Sequence, residues 1–200
     1  MGIHGIEEIR KNKSFIRRSS LKKRAGLSDE ERRKKSVRIC ERFIKSREYE
    51  NAGTILLYKA YNNEVDTDLI FERAIKDRKT VAYPLSDVSH GLPDLKFYVI
   101  NDLNDFCPGY KGILEPDPQK AVEFTGKADV CITPGAAFDR KCHRIGYGKG
   151  FYDTYLSQKK PGSVIGLAFD IQIADDFETE ENDRTADIVL TESEVFYNEQ

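Results

Sequence analysis

Residues 129–158, DVCITPGAAFDRKCHRIGYGKGFYDTYLSQ, are the most informative stretch of the sequence about the fold. The segment opens with a short apolar run at 129–133, which is typical of a buried strand and is ended by Pro134. It closes with a helical pattern at 150–158. Three alternating glycines lie between strand and helix: Gly146, Gly148 and Gly150. A strand joined to a helix in this way is the building unit of a parallel sheet.

The same alternation continues on both sides of this segment. Further apolar runs that favour buried strands occur at 54–58, 80–83, 95–100, 163–169 and 188–190. The pattern predicts one α/β domain over 1–200, a three-layer αβα sandwich with a mostly parallel central sheet. Because ligands of such sheets bind at the carboxyl ends of the strands, we expect the site in the loops after Tyr58, Tyr83 and Thr133.

Two helices are predicted ahead of the first strand, within 1–47. Gly26 ends the first helix, and Ser28 with Glu31 forms a capping box that begins the second. The first helix is expected to bury an apolar stripe of Ile6, Ile9, Phe15, Ile16 and Leu21. The second helix is expected to bury Val37, Ile39, Cys40, Phe43 and Ile44.

The composition excludes several classes of protein. With 39% apolar and 33% charged residues, the chain has enough apolar side chains for a core. It has no apolar run near the ~18 residues that a membrane span needs, and residues 1–10 lack the apolar core of a signal peptide. The scattered cysteines and histidines indicate neither a disulfide framework nor a zinc site. We expect a cytoplasmic monomer without membrane contact.

Charge is distributed unevenly along the chain. Residues 1–50 contain 16 Lys and Arg against 8 Asp and Glu, although the whole chain has a net charge of −2. Such a basic segment can bind nucleic acid or can cover an anionic small molecule. Stacking on nucleic acid needs aromatic residues among the basic ones, and the segment offers only Phe15, Phe43 and Tyr49. We therefore favour small-molecule substrates and no nucleic acid.

The loop at 144–153 contains the densest chemical signal. Its glycines allow backbone N–H groups to approach an anion, and the following helix presents its N-terminus. Arg144 and Lys149 add positive charge, and Asp153 can hold Mg²⁺ against a phosphate. The loop therefore predicts a site for a di- or triphosphate. It is not a P-loop, because no Ser or Thr follows Lys149.

A dinucleotide site is the alternative interpretation of the glycines. Gly146-x-Gly148-x-Gly150 is one residue shorter than the usual G-x-G-x-x-G pattern, but Asp170 follows a strand about twenty residues later. The protein would then be a dinucleotide-dependent oxidoreductase.

The segment from Pro134 to Asp153 also resembles the signature of the 5-formyltetrahydrofolate cyclo-ligases, also called 5,10-methenyltetrahydrofolate synthetases. Other motifs of this family follow in its order: Lys13-x-x-x-Arg17, Glu64-Val65-Asp66-Thr67, Gly109-x-x-Gly112-Ile113-x-Glu115-Pro116 and Asn182-Asp183. Two positions depart from the pattern. Cys142 stands where the family usually has glycine, and Leu85 stands where it usually has a basic residue.

The resemblance implies a ligase of one-carbon metabolism that converts 5-formyltetrahydrofolate to 5,10-methenyltetrahydrofolate, with ATP as co-substrate and Mg²⁺ as cofactor. The implied catalytic residues are Lys149, Arg144 and Tyr152. The implied ATP-binding residues are Lys13, Arg17, Arg144, Ile145, Gly146, Tyr147, Gly148, Lys149, Gly150, Phe151 and Tyr152. The implied folate-binding residues are Tyr58, Lys59, Glu64, Tyr147, Gly148, Lys149, Gly150 and Phe151. The implied metal ligands are Asp153 and Asp183.

Overall fold

The structure is a computed structural model that describes residues 3–87 and 93–199, so residues 1 and 2 of the predicted N-terminal segment lie outside the described part. The helices are α1 (Ile3–Ala25), α2 (Asp29–Ile44), α3 (Arg47–Asn51), α4 (Asp68–Lys76) and α5 (Phe151–Gln158). Single 3₁₀ turns occupy Leu103–Asp105, Tyr110–Gly112 and Asp170–Gln172. The strands are β1 (Thr54–Leu56), β2 (Thr80–Asp87), β3 (Asp94–Val99), β4 (Phe106–Pro108), β5 (Leu114–Pro116), β6 (Val122–Phe124), β7 (Val130–Thr133), β8 (Ala137–Phe138), β9 (Arg144–Ile145), β10 (Ser163–Leu167), β11 (Ile188–Leu190) and β12 (Val195–Tyr197).

Eight of these strands form the central sheet, in the order β12-β11-β10-β7-β1-β2-β3-β6. The five strands from β11 to β2 are parallel, and the strands outside them pair antiparallel. The remaining strands form two small pairs, β4 with β5 and β8 with β9. The prediction of a mostly parallel sheet is confirmed.

Helices cover both faces of the sheet, as predicted. Ile55 of β1 packs with Phe43 of α2 and Phe71 of α4, whereas the next residue, Leu56, packs with Tyr155 of α5 on the opposite face. This alternation follows from the pleat of a strand, in which successive side chains point to opposite sides. Fully buried strands of this kind need apolar residues at every position, which explains the unbroken runs in the sequence.

The second strand is longer than the predicted run at 80–83, since β2 continues through Pro84 to Asp87. The proline is tolerated because β1 pairs only with Thr80–Ala82 of β2. Beyond that point β2 has a partner on one side only, β3, and a proline without an N–H group costs the sheet nothing on the other side.

The capping box at Ser28 and Glu31 is confirmed, and α1 ends at Ala25 as predicted. The predicted burial is wrong at Phe15 and Val37, which are 65% and 41% exposed. In α1 the buried stripe is instead largely polar and consists of Ile9, Lys13, Ser20 and Arg24. These positions are spaced as one helical face, which lies over the ends of the strands rather than over the apolar core. Among the helices that the structure describes, none is long and apolar enough to cross a membrane.

Candidate active site

A cavity of about 670 Å³ lies at the carboxyl ends of the parallel strands. Its walls include Tyr58 after β1, Pro84 of β2 and Pro134 after β7, and it thus lies at the loops in which we expect the site. Helix α1 closes one side with Lys13 and Arg17. The basic N-terminal segment therefore turns part of its charge into this cavity.

Nearly all of the implied site residues line this cavity. They are Lys13, Arg17, Tyr58, Lys59, Glu64, Arg144, Gly146, Tyr147, Gly148, Lys149, Gly150, Phe151, Tyr152, Asp153 and Asp183. Ile145 is different, because its side chain is fully buried and packs against Ala137 and Phe177. Its side chain therefore does not reach a ligand in the cavity.

The glycine loop has a backbone that only glycine adopts without strain at two of its positions. Gly148 and Gly150 have φ angles of +88° and +74°. Arg17 fixes the loop to α1, since its Nε donates to the Gly146 carbonyl at 2.7 Å. Lys149 at the tip is exposed, and within residues 3–87 and 93–199 its ammonium has no ion-pair partner. The loop thus presents a charge that the protein does not neutralise.

Arg144 lies beneath the loop, with its side chain only 3% exposed. One guanidinium nitrogen donates to Asp153 Oδ1 at 2.7 Å, and the Arg184 backbone N–H donates to the same oxygen at 3.2 Å. The Arg144 Nε has no hydrogen-bond partner among the described residues, although it is buried. A buried charged donor without a partner is costly, and this Nε is also closed off from the cavity.

Lys13, an implied ATP-binding residue, is already paired with protein carboxylates. Its ammonium donates to both oxygens of Asp183, at 2.7 and 2.6 Å, and to Glu180 at 3.1 Å. Arg10 contacts Glu180 at 2.8 Å. Burial raises the pKa of Glu180, but the hydrogen bonds from Arg10 and Lys13 outweigh burial and bring that pKa below its usual value. This cluster closes α1 onto the acidic C-terminal part of the chain.

The two implied metal ligands differ in what they can still bind. Asp183 has both oxygens on Lys13, and one of them also accepts the Glu180 N–H at 2.6 Å. Asp153 uses Oδ1 for Arg144, and its Oδ2 has no partner among the described residues. Those residues contain no cluster of three or more metal-ligating side chains. One carboxylate with an open oxygen suits Mg²⁺, which takes most of its ligands from phosphate and water.

Glu64 lines a second part of the cavity, called the Glu64 end below, and is 8% exposed. The Tyr147 hydroxyl donates a short hydrogen bond to one carboxylate oxygen, and the Tyr61 N–H donates to the other at 2.8 Å. Burial raises the pKa of Glu64 above its usual value, and these hydrogen bonds and the charge of Arg24 offset only part of that rise. The result is a carboxylate fixed in position at the cavity wall.

Tyr83 and Tyr152 line the cavity, and their buried hydroxyls have no hydrogen-bond partner among the described residues. Burial raises the pKa of both well above the usual value, so both are neutral donors. The sequence analysis gave Tyr83 no role. Its place at the end of an apolar run, immediately before Pro84, is the signal that marks it.

Glu115 is a second residue to which the sequence assigned no role. One carboxylate oxygen accepts the Ser86 N–H at 3.1 Å and the other accepts the Tyr110 N–H at 3.0 Å. A side chain at Gly109 would collide with this carboxylate, because a Cβ there would lie 2.0 Å from it. Glu115 therefore joins two segments of the cavity wall.

The position of Asp170 does not support the alternative interpretation as a dinucleotide site. Asp170 is not in the cavity wall, and its carboxylate accepts a hydrogen bond from Ser193 at 2.8 Å. The carboxylate that would bind a ribose is thus used elsewhere in the fold.

Comparisons with known proteins give one family. The model of the 5-formyltetrahydrofolate cyclo-ligase family matches residues 9–192. The chain is 29% identical to the mouse 5-formyltetrahydrofolate cyclo-ligase, covering 88% of this chain and 91% of the relative, and 28% identical to that of Escherichia coli K12, covering 87% and 97%. The solution structure of the Aquifex aeolicus 5,10-methenyltetrahydrofolate synthetase superposes with a TM-score of 0.81 at 28% identity, over 94% of this chain and 93% of that one.

Proposed function

The chain belongs to the 5-formyltetrahydrofolate cyclo-ligase family, and on this premise we propose that its cavity converts 5-formyltetrahydrofolate and ATP to 5,10-methenyltetrahydrofolate, ADP and phosphate. The observation that carries the proposal is one cavity with two unlike ends. The glycine loop offers positive charge to a triphosphate, and Glu64 offers a carboxylate to the N–H groups of a pterin. The cavity volume of about 670 Å³ suits small-molecule substrates.

The reaction has to overcome the inertness of a formamide. Its carbonyl carbon is a poor electrophile, and its oxygen is a poor leaving group. Transfer of the γ-phosphoryl group to the formyl oxygen breaks the bond to ADP and makes that oxygen part of a phosphate. N10 then attacks the formyl carbon and loses its proton, the carbon–oxygen bond breaks, and phosphate departs. The protein has to supply positioning and positive charge rather than a nucleophile.

The glycine loop supplies that positive charge. We assign Lys149 to the transferred phosphoryl group, since its ammonium is exposed at the cavity and has no carboxylate partner among the described residues. Arg144, which lines the cavity beneath the loop, adds a second positive charge, but its buried Nε reaches a phosphate oxygen only if the side chain moves. Arg17 holds the loop and adds charge from α1. Lys13 contacts the nucleotide only if it first leaves Asp183.

Asp153 is the residue we assign to Mg²⁺, because its Oδ2 is open at the cavity. When bound, Mg²⁺ neutralises phosphate charge and orients the γ-phosphoryl group. Asp183 remains the second candidate ligand, and its use requires that Lys13 move away. Both assignments predict that the metal binds together with the nucleotide.

The Glu64 end provides one acceptor and one donor. Glu64 accepts hydrogen bonds from the pterin N–H groups, a task for which an ionised acceptor is about twice as strong as a neutral one. We assign Tyr152 to the formyl oxygen, which its buried, unpartnered hydroxyl reaches only if the side chain turns toward the cavity. The rings of Tyr147 and Phe151 form the wall between the two ends. Tyr58 supports Glu64, because its hydroxyl donates to the Val65 carbonyl at 3.0 Å.

A spectrophotometric assay tests the proposal. The purified protein is mixed with 5-formyltetrahydrofolate, ATP and Mg²⁺, and the near-ultraviolet absorbance of the methenyl product is followed, with ATP-free and Mg²⁺-free controls. We expect the absorbance to grow only in the complete mixture. A protein that binds ATP but forms no methenyl product would retain the phosphate site and disprove the substrate. In that case the departures at Cys142 and Leu85 are the first positions to restore.

A further inference from the structure

A chain of hydrogen bonds connects α1, the glycine loop and Glu64. Arg24, near the end of α1, is only 2% exposed. One of its guanidinium nitrogens donates to the Tyr147 hydroxyl at 2.8 Å, and the other donates to the Asn62 carbonyl at 2.8 Å. The Tyr147 hydroxyl in turn donates to Glu64. Arg24 therefore contacts both the glycine loop and the turn that carries Glu64, although it belongs to none of the sequence motifs.

The surroundings of Glu64 show what Arg24 supplies. Burial raises the pKa of Glu64, and the charge of Arg24 acts against burial together with the hydrogen bonds from Tyr147 and the Tyr61 N–H. Burial, and to a smaller extent the charge of Glu64, raises the pKa values of Tyr58 and Tyr152 well above the usual value, so both hydroxyls stay neutral. Arg24 is thus the cation that acts on this carboxylate, although burial still leaves the pKa of Glu64 above its usual value.

We propose that Arg24 is a positioning residue for the reaction, which acts through the Tyr147 hydroxyl to hold Glu64 as an oriented carboxylate and to join it to the nucleotide loop. The identity of the ligands in this proposal rests on the proposed function, but the first test of the proposal uses the protein without any ligand. Truncation of a buried member of such a chain leaves its neighbours unpaired, which makes the consequences large enough to measure.

The position of Tyr147 adds a second consequence. The residue stands between Gly146 and Gly148, so a nucleotide that orders this loop also fixes the hydroxyl that contacts Glu64. Nucleotide and folate should therefore bind interdependently. By linkage, the factor by which one ligand changes the affinity for the other is the same in both directions.

The first test measures the titration of Glu64 in the ligand-free protein by ¹³C NMR of its carboxyl carbon. We expect the midpoint to move to higher pH in Arg24→Met and Tyr147→Phe, and to return toward the parent value in Arg24→Lys. Lys23→Met, the exposed neighbour on the same helix, is the matched control and should leave the midpoint unchanged. An unchanged midpoint in Tyr147→Phe, which keeps the ring and removes only the hydroxyl, overturns the proposal even if Arg24→Met fails to fold.

The second test measures the affinity for 5-formyltetrahydrofolate as a function of pH, with and without a non-hydrolysable ATP analogue. Because only the carboxylate form of Glu64 accepts hydrogen bonds at both oxygens, affinity should fall as the pH drops through the Glu64 pKa, and should fall at higher pH in Arg24→Met. Tyr147→Phe should bind roughly tenfold more weakly and lose the effect of the analogue. A full effect of the analogue in Tyr147→Phe contradicts the coupling. A parent protein that binds no 5-formyltetrahydrofolate contradicts the proposed function instead, and the NMR titration still decides the role of Arg24.

Discussion

The two ends of the cavity handle charge in opposite ways. At the glycine end Lys149 is exposed and has no carboxylate partner among the residues that the structure describes, while at the Glu64 end the Glu64 carboxylate is buried and accepts hydrogen bonds at both oxygens. A solvated cation costs the fold little and can follow a phosphoryl group as it moves. A buried carboxylate costs more, but it is already placed for a flat ligand that does not move. An exposed cation such as Lys149 therefore suits transfer of a group, whereas a buried, fixed carboxylate such as Glu64 suits recognition of a substrate.

Lys149→Ala should have the largest effect on activity. If the exposed ammonium stabilises the transferring phosphoryl group, its removal should lower the rate of methenyl formation at least about hundredfold. The free energy of unfolding should change by no more than about 0.5 kcal/mol, because the side chain is exposed and unpaired among the described residues. The rate comes from the absorbance assay and the stability from urea unfolding.

Lys160→Ala, an exposed lysine beyond α5 and outside the cavity wall, is the matched control for charge and should retain full activity. Near-normal turnover in Lys149→Ala would remove the phosphate role and leave Arg144 as the main cation at that end.

Glu64→Gln tests the other end. The substitution keeps the shape but removes the charge, so the affinity for 5-formyltetrahydrofolate should fall by about ten- to a hundredfold, the range for hydrogen bonds to a charged group. The affinity for ATP measured alone should stay the same, because the glycine loop keeps its cations. Calorimetric titration with each ligand separates the two, and Glu72→Gln on the exposed side of α4 serves as control. An equal loss for both ligands would show that the two ends do not divide the work as described.

Lys13→Met tests a cation that, unlike Lys149, is paired with protein carboxylates. Its side chain is 9% exposed and pairs with Asp183 and Glu180, so its loss should destabilise the fold by about 2 kcal/mol. The folded-state pKa of Glu180 is depressed, so its contribution is present above the unfolded-state pKa and is lost as the pH falls through the folded-state pKa. The parent should therefore lose stability in that acid range, and Lys13→Met should lose less. An identical acid dependence of urea unfolding in both proteins would contradict this assignment.

The sequence predicts the glycine end better than the Glu64 end, because only the glycine end is built from residues close together in the chain. Glycines at left-handed φ angles, a following helix and nearby cations are local features, and Gly146, Gly148 and Gly150 display them within five residues. The setting of Glu64 depends instead on Tyr147 and Arg24, which are distant from it in the chain and are brought together by the fold. The family resemblance identified Glu64, but residue patterns alone did not indicate that its carboxylate is buried.

The errors in α1 have the same origin. Its apolar residues suggested a stripe that includes Phe15, but the face that packs against the protein carries Lys13 and Arg24. A helix that covers a polar cavity buries polar side chains, and periodicity of apolar residues cannot find that face. The strands were predicted well where both faces are buried, as in β7, because burial on both sides favours an almost unbroken apolar run.

The smallest predicted effect concerns the turn that leads into the glycine loop. Cys142 is fully buried with a φ angle of +65°, a conformation that strains every residue with a side chain, and it stands where the family usually has glycine. Cys142→Gly relieves this strain but removes a buried thiol, so the two contributions nearly cancel. Cys142→Ala removes the thiol and keeps the strain. We therefore expect the glycine variant to be more stable than the alanine variant by about 1 kcal/mol in urea unfolding, with methenyl formation unchanged in both. If the alanine variant is the more stable, packing of a side chain at this turn outweighs backbone strain, and the departure from the family pattern strengthens the support of the glycine loop.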